Sequence, residues 1–137
     1  MRTGKWSVIG ASCLAALLCT VWMVPGIAVA MQLEQAVVCE NIVDREPMNP
    51  GTQFAATIGK LYCFTKLVDA DAPTRVTHVW YFGDMERARV DLSVGASAWR
   101  TYSSKLIQAT EIGAWRVEIL DADENILDTI HFEIVQP

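Results

Sequence analysis

Two histidines, His78 and His131, and four cysteines, Cys13, Cys19, Cys39 and Cys63, are the chain's strongest candidates for metal binding or nucleophilic chemistry. Their spacing argues against both. A zinc or copper site needs three or four converging ligands, and the sequence has no H-x-x-x-H, no H-x-H and no Cys-His cluster. No G-x-S-x-G elbow and no phosphate-cradling glycine loop occur, and no pair of carboxylates is singled out for glycoside hydrolysis. Asp121, Asp123, Glu124, Asn125 and Asp128 form a close set of oxygen donors of the kind calcium favours. Their spacing does not fit an EF-hand loop, and its central glycine is missing, so solvated acids around a hairpin turn are expected instead. The sequence therefore predicts no catalytic residues, no metal and no cofactor.

What it does concentrate is aromatic beside polar side chains, in His78-Val79-Trp80-Tyr81-Phe82 and in Trp99-Arg100-Thr101-Tyr102-Ser103-Ser104-Lys105. Aromatic residues and arginine are favoured in binding sites. The candidate binding set is His78, Trp80, Trp99, Arg100, Tyr102, Ser103 and Lys105, with Arg100 and Lys105 for polar or anionic groups and His78 and Tyr102 in support. The competing reading is packing, since each tryptophan buries a large area and fills a core most simply.

These residues need strands to hold them. Val76, His78, Trp80 and Phe82 alternate with Thr77, Val79 and Tyr81, and Gly83-Asp84 signals a turn. Ala88, Val90, Leu92 and Val94 alternate with Arg87, Arg89, Asp91 and Ser93, which gives one face to a core and one to water. Further strands are expected at Ala36 to Val43, Thr57 to Val68, from Trp99, around Trp115 to Ile119, and at Ile126 to Val135. Asp44 to Thr52, with Pro47, Pro50 and Gly51, reads as a loop, and a helical turn is admitted between Lys105 and Glu111. About seven short strands without a long amphipathic helix predict an all-β, immunoglobulin- or fibronectin-like antiparallel sandwich. A small closed barrel is the alternative.

The first thirty residues read as an address. Arg2 and Lys5 precede an uncharged, mostly apolar run from Val8 to Val24, then Pro25-Gly26 and Ala28-Val29-Ala30. That is the three-part secretory signal pattern, with cleavage expected after Ala30. An uncleaved anchor is the rival, and a lipoprotein a weaker third reading. The expected division is a signal peptide over 1–30, a lead-in over 31–35 and one domain over 36–137, in the periplasm or secreted. After export, Cys39 and Cys63 are the remaining cysteines. An even pair in an oxidising compartment reads as a disulfide, which across 24 residues is worth about 3 kcal/mol. Two separate buried thiols are the other reading.

All 16 acidic residues lie beyond position 30, against 9 basic ones, so the exported part carries a formal charge of −7. Such a domain repels phosphate backbones and gains nothing from anionic lipid, which argues against nucleic-acid partners and leaves membrane contact to an uncleaved N-terminal segment.

Asp44-Arg45-Glu46-Pro47, Leu61-Tyr62-Cys63-Phe64-Thr65, His78-Val79-Trp80-Tyr81, the Trp99 to Lys105 stretch, Gly113-Ala114-Trp115-Arg116-Val117 and the final Phe132 strand together resemble the bacterial family known as domain of unknown function 2914. The resemblance spans roughly residues 36 to 136. It implies an exported or membrane-tethered β-rich domain of the envelope and brings no catalytic residues. The expected function is non-enzymatic binding of an envelope protein or glycan. The alternatives are a structural accessory module, docked through an edge strand at Ile126 to Val135, and, less favoured, an enzyme acting on envelope carbohydrate.

Overall fold

In the computed structural model, residues 3–4, 10, 19–26 and 29–137 are described; most of the expected signal segment lies outside them. No helix among the described residues is long and apolar enough to cross a membrane. Among the described residues, nine strands run β1 (Gln32–Val43), β2 (Glu46–Pro50), β3 (Gln53–Ala55), β4 (Lys60–Val68), β5 (Thr74–Phe82), β6 (Met85–Val94), β7 (Trp99–Leu106), β8 (Gly113–Leu120) and β9 (Ile126–Val135). They form two facing sheets, ordered β2-β1-β4-β7 and β3-β9-β8-β5-β6. All pairings are antiparallel except β3 with β9.

The protein is thus an all-β sandwich, and its strand order follows the immunoglobulin pattern: β1, β4 and β7 stand where strands A, B and E stand, and β5, β8 and β9 where C, F and G stand. The period-two patterns explain the two layers. From β4, Leu61, Cys63, Thr65 and Leu67 point inward; from β5, Val76, His78 and Trp80; from β8, Trp115, Val117 and Ile119; from β9, Phe132 and Ile134, all of them buried. Phe132 is the centre of this layer, stacked on Trp115 at 6.0 Å and meeting Trp80 and Phe54 edge-on at 6.2 and 6.0 Å. Trp80 occupies the place of the buried strand-C tryptophan of immunoglobulin domains.

Four expectations differ from the structure. First, the lead-in at 32–35 is already strand, because β1 runs beside β4 from Gln32↔Val68 onward. Second, the expected loop over 44–52 contains a tight hairpin and β2, and β3 begins at Gln53. The hairpin turns on Asp44 (φ 50°) and Arg45 (φ 64°), the two positive dihedrals of a type I′ turn, with neither glycine nor asparagine present. Third, the stretch after Leu106 makes turns and no helix. Fourth, β9 is not an outer strand: it lies between β3 and β8, and the sheet edges fall on β2, β7, β3 and β6.

The cysteines are a further correction. Cys39 and Cys63 are both buried, and both are free thiols. The register explains why. Cys63 stands opposite Val38, and Cys39 opposite Tyr62. Residues directly opposite in a sheet share a face, and the next position points to the other. Cys63 therefore faces the core while Cys39 faces the outer side, and their Cβ vectors diverge as no disulfide allows. In immunoglobulin domains the inward cysteine of strand B bonds to one on strand F; here β8 carries no cysteine. Burial pushes both thiols up, Cys63 furthest, and keeps them in the unreactive thiol form.

Candidate functional site

The sandwich divides the seven candidate residues between two places. His78, Trp80 and Ser103 meet inside. Ser103 Oγ lies 2.7 Å from His78 Nδ1 and accepts a hydrogen bond from Trp80 Nε1 at 3.1 Å. On the other side of the ring, His78 Nε2 lies 3.3 Å from Thr65 Oγ1, which donates to the Thr101 carbonyl at 3.3 Å. Hydrogen counting assigns the tautomer. The Thr65 proton goes to a carbonyl, so Thr65 accepts from Nε2–H; the Trp80 proton goes to Ser103, so Ser103 donates to Nδ1. Every polar atom of the chain Trp80→Ser103→His78→Thr65→Thr101 is then satisfied once, and only with a neutral imidazole. Burial lowers the His78 pKa to about 4. This network fixes the register between the two sheets and presents nothing to solvent, so the expected exposed face containing His78 and Ser103 does not form.

Arg100 and Tyr102 sit on the opposite face of β7. They line a cleft of about 210 Å³ with Ile42, Arg45, Phe64 and Thr101. A second cleft of about 230 Å³ shares Arg45 and Arg100 and adds Lys66, Ala98 and Trp99. Each is smaller than a typical pocket for a drug-sized ligand, roughly 300–1,000 Å³, but two shared arginines join them into one trough along the outer face of β4 and β7. The β1–β2 hairpin folds across this face and supplies one wall; Phe64, though it points away from the core, is 1% exposed for that reason. Tyr102 is 49% exposed and meets Tyr62 edge-on at 5.9 Å. Trp99 packs against Gly95, where an added Cβ would come within 3.1 Å of the indole. Lys105 stands apart from the trough, its Nζ donating to the Leu106 carbonyl at 2.8 Å.

The electrostatics of the trough differ from those of the domain. β4 and β7 carry Lys60, Lys66, Arg100 and Lys105 and no acid. Arg100 Nη2 pairs with Glu46 at 3.0 Å and Lys66 with Glu34 at 3.2 Å. Arg100 Nε is shielded from solvent and has no acceptor among the described residues. Arg45 has no carboxylate within ion-pairing distance among the described residues, and it holds a left-handed conformation that favours glycine.

Sequence pattern alone picked Arg100 and Tyr102 from this trough, with Trp99 at its end, and missed Arg45, Phe64 and Lys66. Arg45 was the legible omission: Asp-Arg in a hairpin turn is unusual chemistry. Phe64 and Lys66 become site residues only when the hairpin folds over them. The acidic turn carries no convergent cage: Asp121 accepts from the Asp123 and Asn125 amides at 2.9 Å and from Asn125 Nδ2 at 3.2 Å. Slight desolvation alone would raise its pKa, but these hydrogen bonds prevail and lower it.

An immunoglobulin-like sandwich with a basic, aromatic trough on one outer face describes the class of domain. Residues 73–134 match the model of a family described as protein of unknown function (DUF2914). The match takes in β5 to β8 and nearly all of β9, including the network histidine and the β7 wall of the trough; β1 to β4, with Arg45, Phe64 and Lys66, lie before it. No curated protein matches the chain.

Proposed function

We propose that the domain is an exported, non-enzymatic binding module of the cell envelope, periplasmic or secreted, and that the trough between the β1–β2 hairpin and β7 holds an anionic group of a protein or glycan. The observation that carries this is the convergence of Arg45 and Arg100 on one cleft walled by Phe64 and Tyr102, in a domain whose exported part is acidic. Aromatic walls with a guanidinium fork suit carboxylate or phosphate recognition. Export is supported by the signal pattern and by Val21, Trp22, Met23 and Val24, which stand 82–90% exposed, outside the core. The non-enzymatic reading rests on a trough that holds cations and aromatics, with His78 locked in the interior.

The test is affinity capture from envelope extract, comparing the protein with its Arg45→Ala/Arg100→Ala double variant. An exposed ion pair such as Arg100–Glu46 is worth under about 1 kcal/mol, so the variant stays folded. The protein is expected to retain an envelope protein or glycan that the variant loses. Equal retention by both would overturn the assignment of the trough.

A further inference from the structure

We propose that the free edge of β7 takes up an extended, acidic peptide segment as an added strand, with its carboxylates reaching Arg45 and Arg100. This rests on the trough being the binding surface, and it names the kind of ligand.

Among the described residues, β7 ends its sheet, with β4 on one side and no strand on the other. The phase of its hydrogen bonds follows from one observation. Ile107 N donates to Gly59 O at 2.8 Å, one step beyond the register pair Lys60↔Leu106. Hydrogen-bonded and non-hydrogen-bonded pairs alternate along an antiparallel ladder. Leu61/Lys105, Cys63/Ser103 and Thr65/Thr101 therefore exchange bonds across the sheet, and Arg100, Tyr102, Ser104 and Leu106 turn their N–H and C=O groups to the open edge. Lys105 already covers the Leu106 carbonyl. Arg100, Tyr102 and Ser104 remain, each offering a donor and an acceptor, over about 14 Å of strand at 3.4 Å per residue. By the pleat, these same residues place their side chains on the outer face. Main-chain pairing and side-chain recognition thus come from one set of residues, as strand addition requires.

The other edges suit this less well. β2 has five residues and contains Pro47 and Pro50, which blunt an edge, and β3 has three. β6 is long, but its charges are of both signs and its arginines are engaged, Arg87 with Glu111 and Arg89 with Glu86 and Glu124. β7 has eight residues, no proline, and only positive charges. That pattern selects an acidic occupant. It disfavours a second copy of the chain, since pairing two β7 edges would bring together two strands that each carry only positive charges.

The experiment uses the full chain and a blocked eight-residue peptide of alternating glutamate and valine, with two twins N-methylated at the even or at the odd residues. Titration is followed by amide NMR and hydrogen exchange. One twin is expected to bind at least about tenfold more weakly and the other close to the parent, because a strand turns alternate amides to its neighbour. The amides of Arg100, Tyr102 and Ser104 are expected to slow in exchange. Ser104→Pro, which removes an outward N–H at an edge where proline is tolerated, should abolish binding with the melting transition retained; the methylated twins probe the same amide pairing without altering the protein. If both twins bind like the parent and the edge amides are unchanged, strand addition is refuted while the trough, tested by the arginine variants, stands. If the peptide does not bind but envelope capture still depends on Arg45 and Arg100, the acidic-peptide assignment falls alone. If neither occurs, both readings fall. Self-association through β7 in sedimentation would also overturn the proposal, by naming a second copy as the occupant.

Discussion

Lowering the pH from 7 to 5 is expected to destabilise this domain through a single buried ring. His78 is completely enclosed, and its hydrogen-bond chain accepts only the neutral form. Its pKa falls from 6.5 to about 4 on folding, through burial. The unfolded chain therefore binds a proton that the folded chain refuses between pH 6.5 and 4, and stability rises with pH across that window. The contribution is complete above pH 6.5 and is lost as pH falls towards 4. With these two values, linkage gives a loss of about 2 kcal/mol between pH 7 and pH 5, and about 3 kcal/mol once the folded imidazole has taken up its proton as well, at pH 4 and below. That is a large share of the roughly 5–15 kcal/mol by which domains of this size are stable. Asp121, whose carboxyl is held below its ordinary value, loses its contribution only at lower pH, so the upper window isolates the imidazole. The assay is urea unfolding at half-unit pH steps, on the protein and on His78→Gln, which keeps hydrogen-bonding capacity and does not titrate. The variant starts lower in stability and should show a flatter profile between pH 7 and 5, the difference amounting to about 2 kcal/mol. Parallel profiles would refute the reasoning, because the loss would then belong to other groups.

Ser103→Ala removes the one oxygen that serves both His78 Nδ1 and Trp80 Nε1; with two buried partners left unsatisfied, chemical denaturation should show a loss of about 2–4 kcal/mol. Arg45→Gly relieves the left-handed turn residue and should raise stability by about 0.5–1 kcal/mol while it lowers ligand capture, a trade-off read by paired melting and pull-down measurements. Glu111→Gln breaks the 2.9 Å pair between a buried carboxylate and the partly exposed Arg87, and should cost about 1–3 kcal/mol in the same denaturation assay. A thiol reagent should label Cys39 and Cys63 together only on unfolding, with both found reduced by mass spectrometry of non-reduced protein; a linked pair would contradict the register between β1 and β4.

The layers of this protein were legible in its residues because period-two alternation is a local property. Leu61-Cys63-Thr65-Leu67, Val76-His78-Trp80 and Trp115-Val117-Ile119 each declare one inward face, and turns such as Gly83-Asp84 mark where the chain reverses. Local pattern also placed Arg100 and Tyr102 on one face of β7 and Ser103 on the other. It did not say which face would be wet. That depended on which sheet β7 joined, a matter of pairing between segments far apart in the chain. The cysteines show the same division: their burial was written in their neighbours, but their failure to bond depends on a stagger of one residue between β1 and β4, which reverses the direction of a side chain. The trough was least legible, since Arg45, Phe64 and Lys66 come together only when a hairpin at the start of the domain folds across a sheet completed by its seventh strand. Alternation specifies faces; long-range pairing alone decides what those faces meet.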